Sequence, residues 1–213
     1  MNILVVTPPL VEPVTMQQVF LHLRLDDPEA PDDHPDYPLL VSQLAAARGK
    51  AEQDTRRAFI HQTLRIVGAS QQAVGWFWHW RTGSCGIELR RPPFIEVLSV
   101  TYYDAQNAAQ MIDPGDYYVT DDLVPRLMFV DGFSVPCTYR RDDAVRVDYI
   151  AGYPPKPASG SAPIDYRANV PDGIKQAILI GVQLQYDDLT GDQRESLEKA
   201  RDSLLASFRV HSF

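Results

Sequence analysis

The feature that most constrains the fold is a double change of hydrophobic period along the chain. Before about residue 61, apolar side chains recur at helical spacing. From about 62 the runs become short and β-branched or aromatic: "QTLRIV", "GIELR", "IEVLSVTYYD", "DYYVT", "RLMFV" and "AVRVDYIAGY". Gly, Pro and Asp separate them, as expected of strands at meander spacing. A Pro/Ser/Gly stretch, "PPKPASGSAP" at 154–163, then precedes a return to helical spacing. Helices at both ends with strands between them imply an α+β fold. The expectation is a helical bundle formed by the N- and C-terminal helices, with an inserted antiparallel β lobe. Its expected divisions are 1–61 for the N-terminal helices, 62–153 for the β lobe, and 154–213 for the linker and C-terminal helices.

The helical segments carry their own boundary signals. Thr15 followed three residues later by Gln18 is a capping box, and Met16, Val19, Phe20 and Leu23 then fall on one face. Residues 26–38, "DDPEAPDDHPDYP", hold four prolines, five aspartates and a glutamate, which makes them a loop. Pro38 suits the first turn of a second helix, whose stripe is Leu40, Leu44, Ala47, Ala51 and Ala58. Those small residues predict close packing against another helix. A third helix opens at Pro171 and Asp172 and buries Ile174, Ala177, Ile178, Gly181, Val182 and Leu184. A fourth is expected to turn Leu197, Ala200, Leu204 and Phe208 inward, with Glu195 four residues before Lys199.

Charge and cysteine usage bound the function. The formal charge of −8 and pI near 5.0 argue against general nucleic-acid binding, which needs clustered Lys and Arg. They argue equally against an anionic membrane surface. The two cysteines, Cys85 and Cys137, form no CxxC pair and no disulfide framework. "MNILVVTPPLVEP" has an apolar run without a basic lead, so no signal peptide is expected. No stretch approaches the ~18 apolar residues of a membrane span.

Fragments that invite chemistry have plainer readings. "GSCGIE" places Cys85 between glycines, but no base and orienting group accompany it beyond His79 nearby. Five Asp-Asp pairs, at 26/27, 32/33, 121/122, 142/143 and 187/188, fall at turns and element ends without calcium-loop spacing. Histidines 22, 34, 61, 79 and 211 show neither HxH nor HxxxH spacing, and no phosphate loop or GxSxG elbow is present. No catalytic residue, cofactor or metal ligand is assigned, and no enzymatic activity is expected.

The stretch "GWFWHW" gathers all three tryptophans within residues 76–80. On a strand, Trp76, Trp78 and Trp80 share one face, with Phe77 and His79 on the other. Base stacking wants interleaved cations, and only Arg81 is near. The expected role is a core face combined with a neighbour contact, since tryptophan anchors interfaces. The alternative is a carbohydrate- or host-surface-binding hairpin built on the same three indoles.

Several stretches together resemble one family. They are "EPVT" (12–15) with "HLRLD" (22–26), "LAAARGKAEQDTRRAFIHQT" (44–63) and "IELRRPPFIEVLSVTYYD" (87–104). "VRVDYIAGY" (145–153), "VPDGIKQAIL" (170–179) and the terminal "LLASFRV" (204–210) continue the order. In sequence and spacing they resemble the head–tail connector (adaptor) proteins of tailed bacteriophages, which follow the portal in virion assembly. The acidic loop at 26–38 is longer, and the 75–86 tip more aromatic, than is usual there.

The resemblance implies a non-enzymatic structural subunit of the virion neck, made in the host cytoplasm. It implies a ring under the portal protein that extends the DNA channel and docks a tail or stopper protein. Self-association into a dodecamer is implied by the twelve-fold portal, through head-to-tail contacts that close. Genome DNA passes through such a ring without sequence-specific binding, and no membrane is involved. The family's C-terminal end approaches the portal, which makes Phe208, Arg209, Val210 and Phe213 candidate contacts beside Trp76, Trp78 and Trp80.

Overall fold

The computed structural model describes residues 2–26, 29–68, 86–134, 136–159 and 162–211. It is α+β, with four α-helices and antiparallel sheets among the described residues. The chain divides into two compact units: Met1–Pro8 with His61–Gly152, and Pro9–Ile60 with Tyr153–Phe213.

The strands are β1 (Asn2–Thr7), β2 (Gln62–Gly68), β3 (Ile87–Glu88), β4 (Phe94–Tyr103), β5 (Ala109–Met111), β6 (Tyr117–Val119), β7 (Arg126–Phe129) and β8 (Val145–Ala151). The expectation that residues 1–61 are all helical-bundle sequence needs correction at its start. Residues 2–7 pair antiparallel with β2, placing Ile3 opposite Ile66 and Val5 opposite Leu64. The run "NILVV" is too short and too uniformly apolar to display a period, so the sequence alone did not mark it as a strand. The first half of the helical unit, 9–60, is therefore inserted between β1 and β2, and its second half, 153–213, follows β8.

The strands do not form a simple meander either. The larger sheet has the order β1-β2-β8-β4-β5 and the smaller one β3-β7-β6. β2 pairs along its whole length with β8, Gln62 opposite Ala151 and Gly68 opposite Val145. Alternation assigns the two faces of the larger sheet. Leu64, Ile66, Val145, Val147, Tyr149 and Val100 are buried on one. The other carries Arg65, which reaches across to Asp148 with two hydrogen bonds of 2.6 and 2.7 Å. Tyr149 is fully buried, yet its hydroxyl donates to the Arg90 carbonyl, so no orphan polar atom results. Burial pushes its pKa well up.

The helical unit holds α1 (Met16–Leu23), α2 (Tyr37–Thr55), α3 (Asp172–Tyr186) and α4 (Gly191–Ala206). The Thr15–Gln18 capping box is formed. Leu40, Leu44, Ala47 and Ala51 of α2 join Ile174, Ala177, Ile178 and Val182 of α3 in one core. The small residues do what their stripe implied. A Cβ built on Gly181 would lie 3.1 Å from the Ala47 Cβ, so the two helices approach as closely as glycine allows. Ala58 is buried but lies beyond α2, which ends where Arg56 takes a left-handed conformation at φ 56°.

The inward stripe expected for α4 is only partly right. Leu205 is its one buried residue, Leu197 and Leu204 are half-buried, and Ala200 is exposed. The helix is rich in charge and rests chiefly on α3, so its apolar contact narrows to the last turns.

Candidate assembly surfaces

Trp76, Trp78, Trp80 and Phe213 lie outside the described residues. The remaining candidates cluster at the C-terminal end of the helical unit. Val210 is 6% exposed, and its backbone N–H donates to the Thr55 carbonyl over 3.0 Å. The Phe208 ring packs against the core and over the first turn of α3, where a Cβ on Gly173 would come within 3.2 Å of it. Arg57 reinforces the tie, its Nε donating to the Phe208 carbonyl over 2.6 Å. Arg209 and His211 are exposed. The segment 208–210 is thus folded onto the end of α2, with Arg209 turned to solvent between two anchored neighbours.

An ionic network, not singled out in the sequence, holds that end of α2 in place. Arg48 lies between two carboxylates, with Nε 2.8 Å from Glu12 and Nη1 2.8 Å from Glu52. Glu52 is only 5% exposed, and its other oxygen accepts the Phe59 N–H at 2.8 Å. A buried carboxylate is tolerable only with such partners. Glu12 and the Arg48/Glu52 pair lie within the "EPVT" and "AAARGKAEQDT" stretches. Those stretches are therefore bonded to each other in space, and a spacing of four residues between an Arg and a Glu was the signal available.

A second charged group sits on the polar face of the larger sheet. Asp143 accepts from Arg141 and Arg146, and both guanidinium groups lie over the Tyr103 ring, at 3.7 and 5.0 Å from its centroid. Hydrogen bonding from Arg141, then from Arg146, holds the Asp143 carboxyl well below the usual range against its partial desolvation. The Arg65 pKa is raised by its hydrogen bonds to Asp148. These cations are matched by carboxylates and do not form a bare basic patch.

The sheet's edge differs in character. β1 lies at one end of the five-stranded order, and Leu4, Val5 and Val6 are 52, 48 and 45% exposed. Leu10, beyond Pro8 and Pro9, is 74% exposed.

The helical unit also has an open groove of about 590 Å³ lined by Pro13, Gln18, Ile164, Asp165, Arg167 and Lys175. Arg167 spends its Nε on the Glu12 carbonyl, and Asp165 accepts the Arg167 N–H. No group of three or more His, Cys, Asp or Glu residues is placed to hold a metal ion among the described residues. Cys137 is exposed, and Cys85 lies outside the described residues. No helix among the described residues is long and apolar enough to cross a membrane.

No protein-family model matches the chain, and no curated protein does. Solved structures do. A chain of the neck of an empty gene transfer agent (GTA) particle, computed with C6 symmetry, superposes with a TM-score of 0.71 at 20% identity. A chain of the virion of the native GTA particle gives 0.69 at 20%, and one from the native neck computed with C12 symmetry gives 0.62 at 17%. Each match covers 100% of this chain and 97% of the other. The fold of this chain, both units included, is that of a protein found in a GTA particle neck.

Proposed function

We propose that this chain is a head–tail connector subunit, assembling as a ring beneath a portal, extending the DNA channel and docking a tail or stopper protein. The observation that carries this reading is the end-to-end match to GTA neck chains. The connector-like stretches, by their sequence and spacing, are a second support for it. A neck built with six- or twelve-fold symmetry is the setting those neighbours occupy, and a ring of twelve is the corresponding proposal here. The role is structural rather than enzymatic. The net charge of −8 suits a channel wall that repels phosphate and lets DNA slide.

The intrachain packing of this end supports a narrower reading of the proposed C-terminal contact. Phe208 and Val210 are anchors within the chain's own helical unit, and Arg209 with the residues beyond Val210 is proposed to meet the portal. The tryptophan stretch is proposed as a contact with a neighbouring copy or the tail protein. The experiment is to mix the purified protein with its portal, separate by size and image the product. A coaxial ring stacked on the portal is expected; no complex with portals or DNA-filled heads overturns the reading.

A further inference from the structure

We infer that β1 is an assembly strand: its free edge pairs with the open edge of β4 in a second copy, joining sheets of neighbouring subunits. This rests on the connector reading, which supplies the neighbour. A closed ring needs two different, complementary surfaces on every copy, and an open sheet has two different edges.

The first edge is β1 itself, which pairs only with β2 among the described residues. An edge strand normally carries a charge, a proline or a short length that discourages pairing. β1 runs six residues, Asn2–Thr7, with no charged side chain, and prolines appear only after it, at Pro8 and Pro9. Leu4, Val5 and Val6 together expose apolar surface on both faces of that strand. Such an edge supplies main-chain groups for affinity and side chains for selectivity.

The second edge lies at the far end of the order and is stepped. β5 pairs only with Thr101, Tyr102 and Tyr103 of β4, and Ile112 adds one bond to the Val100 carbonyl. Residues 94–99 therefore have β8 on one side and no strand on the other among the described residues. This open stretch matches β1 in length and exposes Leu98 by 50%. Glu96, its one charge, stands opposite Ile150 and so belongs to the polar face.

Strand direction also fits. Each neighbouring pair in the larger sheet is antiparallel, so β1 runs opposite to β4. A second copy whose sheet continues the first in the same sense brings its β1 antiparallel to residues 94–99. The contact then repeats from copy to copy without a two-fold axis, as a ring requires.

The test is cross-linking in assembled necks. Leu4→Cys and Leu98→Cys are combined in a Cys85→Ser, Cys137→Ser background, assembled on portals and treated with a short bismaleimide. Both sites are half-exposed, so the sheet core is untouched. The double variant is expected to give a ladder of covalent multimers climbing to the copy number of the ring, while each single variant gives none. In parallel, Leu4→Lys is expected to keep its circular dichroism spectrum and lose incorporation into necks at least tenfold. Normal necks with no ladder, a link formed only within one chain, or Leu4→Lys incorporating like wild type would each overturn the inference and leave the connector reading standing. Wild-type protein failing to enter necks would overturn the connector reading, and this inference with it.

Discussion

Single residues decide how the helical unit holds its C-terminal end. Glu52 is buried, accepts from Arg48 and the Phe59 N–H, and has nowhere to recover hydration. Glu52→Ala leaves a half-buried guanidinium and a buried N–H short of a partner, and is expected to cost roughly 3 kcal/mol. Urea unfolding at neutral pH measures this, and a loss under about 1 kcal/mol would show that water replaces the carboxylate. Asp143 makes a pH prediction. Its folded pKa is depressed by Arg141 and Arg146, so its stabilisation is present above the ordinary carboxylate value, about 3.9. That stabilisation drains away as pH falls from there through the folded value. Asp143→Asn is therefore expected to be less stable than wild type at pH 7. The gap in urea midpoints should narrow as pH is lowered to about 3; a constant gap would assign the effect to packing.

At the scale of elements, the C-terminal segment allows folding to be tested apart from the proposed docking. Removing residues 208–213 deletes the Phe208 contact and the Val210–Thr55 bond, and is expected to lower the melting temperature by several degrees. Removing only 211–213 should leave the melt unchanged and weaken portal binding. The reverse pattern, in a melt and a pull-down on immobilised portal, would assign Phe208 and Val210 as direct contacts. How far these elements could be read from sequence depends on what fixes them. The alternation Val145, Arg146, Val147, Asp148, Tyr149 shows directly which side of β8 is buried, and the Ala47/Gly181 approach follows from small residues at helical spacing. β1 escaped because its apolar side chains remain exposed, so no two-residue period was imposed on them. The fate of Val210 escaped for a different reason: a backbone N–H donating to Thr55 leaves no trace in side-chain type. Phe208 was expected both on the inner stripe of α4 and as a contact; it does pack inward, over Gly173, but from beyond α4, which ends at Ala206.

At the scale of the whole molecule, both units are assembled from distant parts of the chain. The sheet needs residues 2–7, 62–68 and 145–151, and the helical unit needs 16–55 and 172–206. Ribosome-bound chains halted near residue 140 should thus be protease-sensitive throughout, whereas released full-length protein should resist. Protection of 9–60 in the halted chain would show that α1 and α2 fold without α3. The division at Pro8, Ile60 and Gly152 has a further consequence for the order of events during synthesis. β1 is made about sixty residues before its in-chain partner, β2. On a polysome crowded with sister chains, an uncharged, edge-seeking strand spends that interval exposed to its own kind. The cell's problem with this protein is therefore one of timing: the segment proposed to bind another copy is made before the sheet that must first claim it.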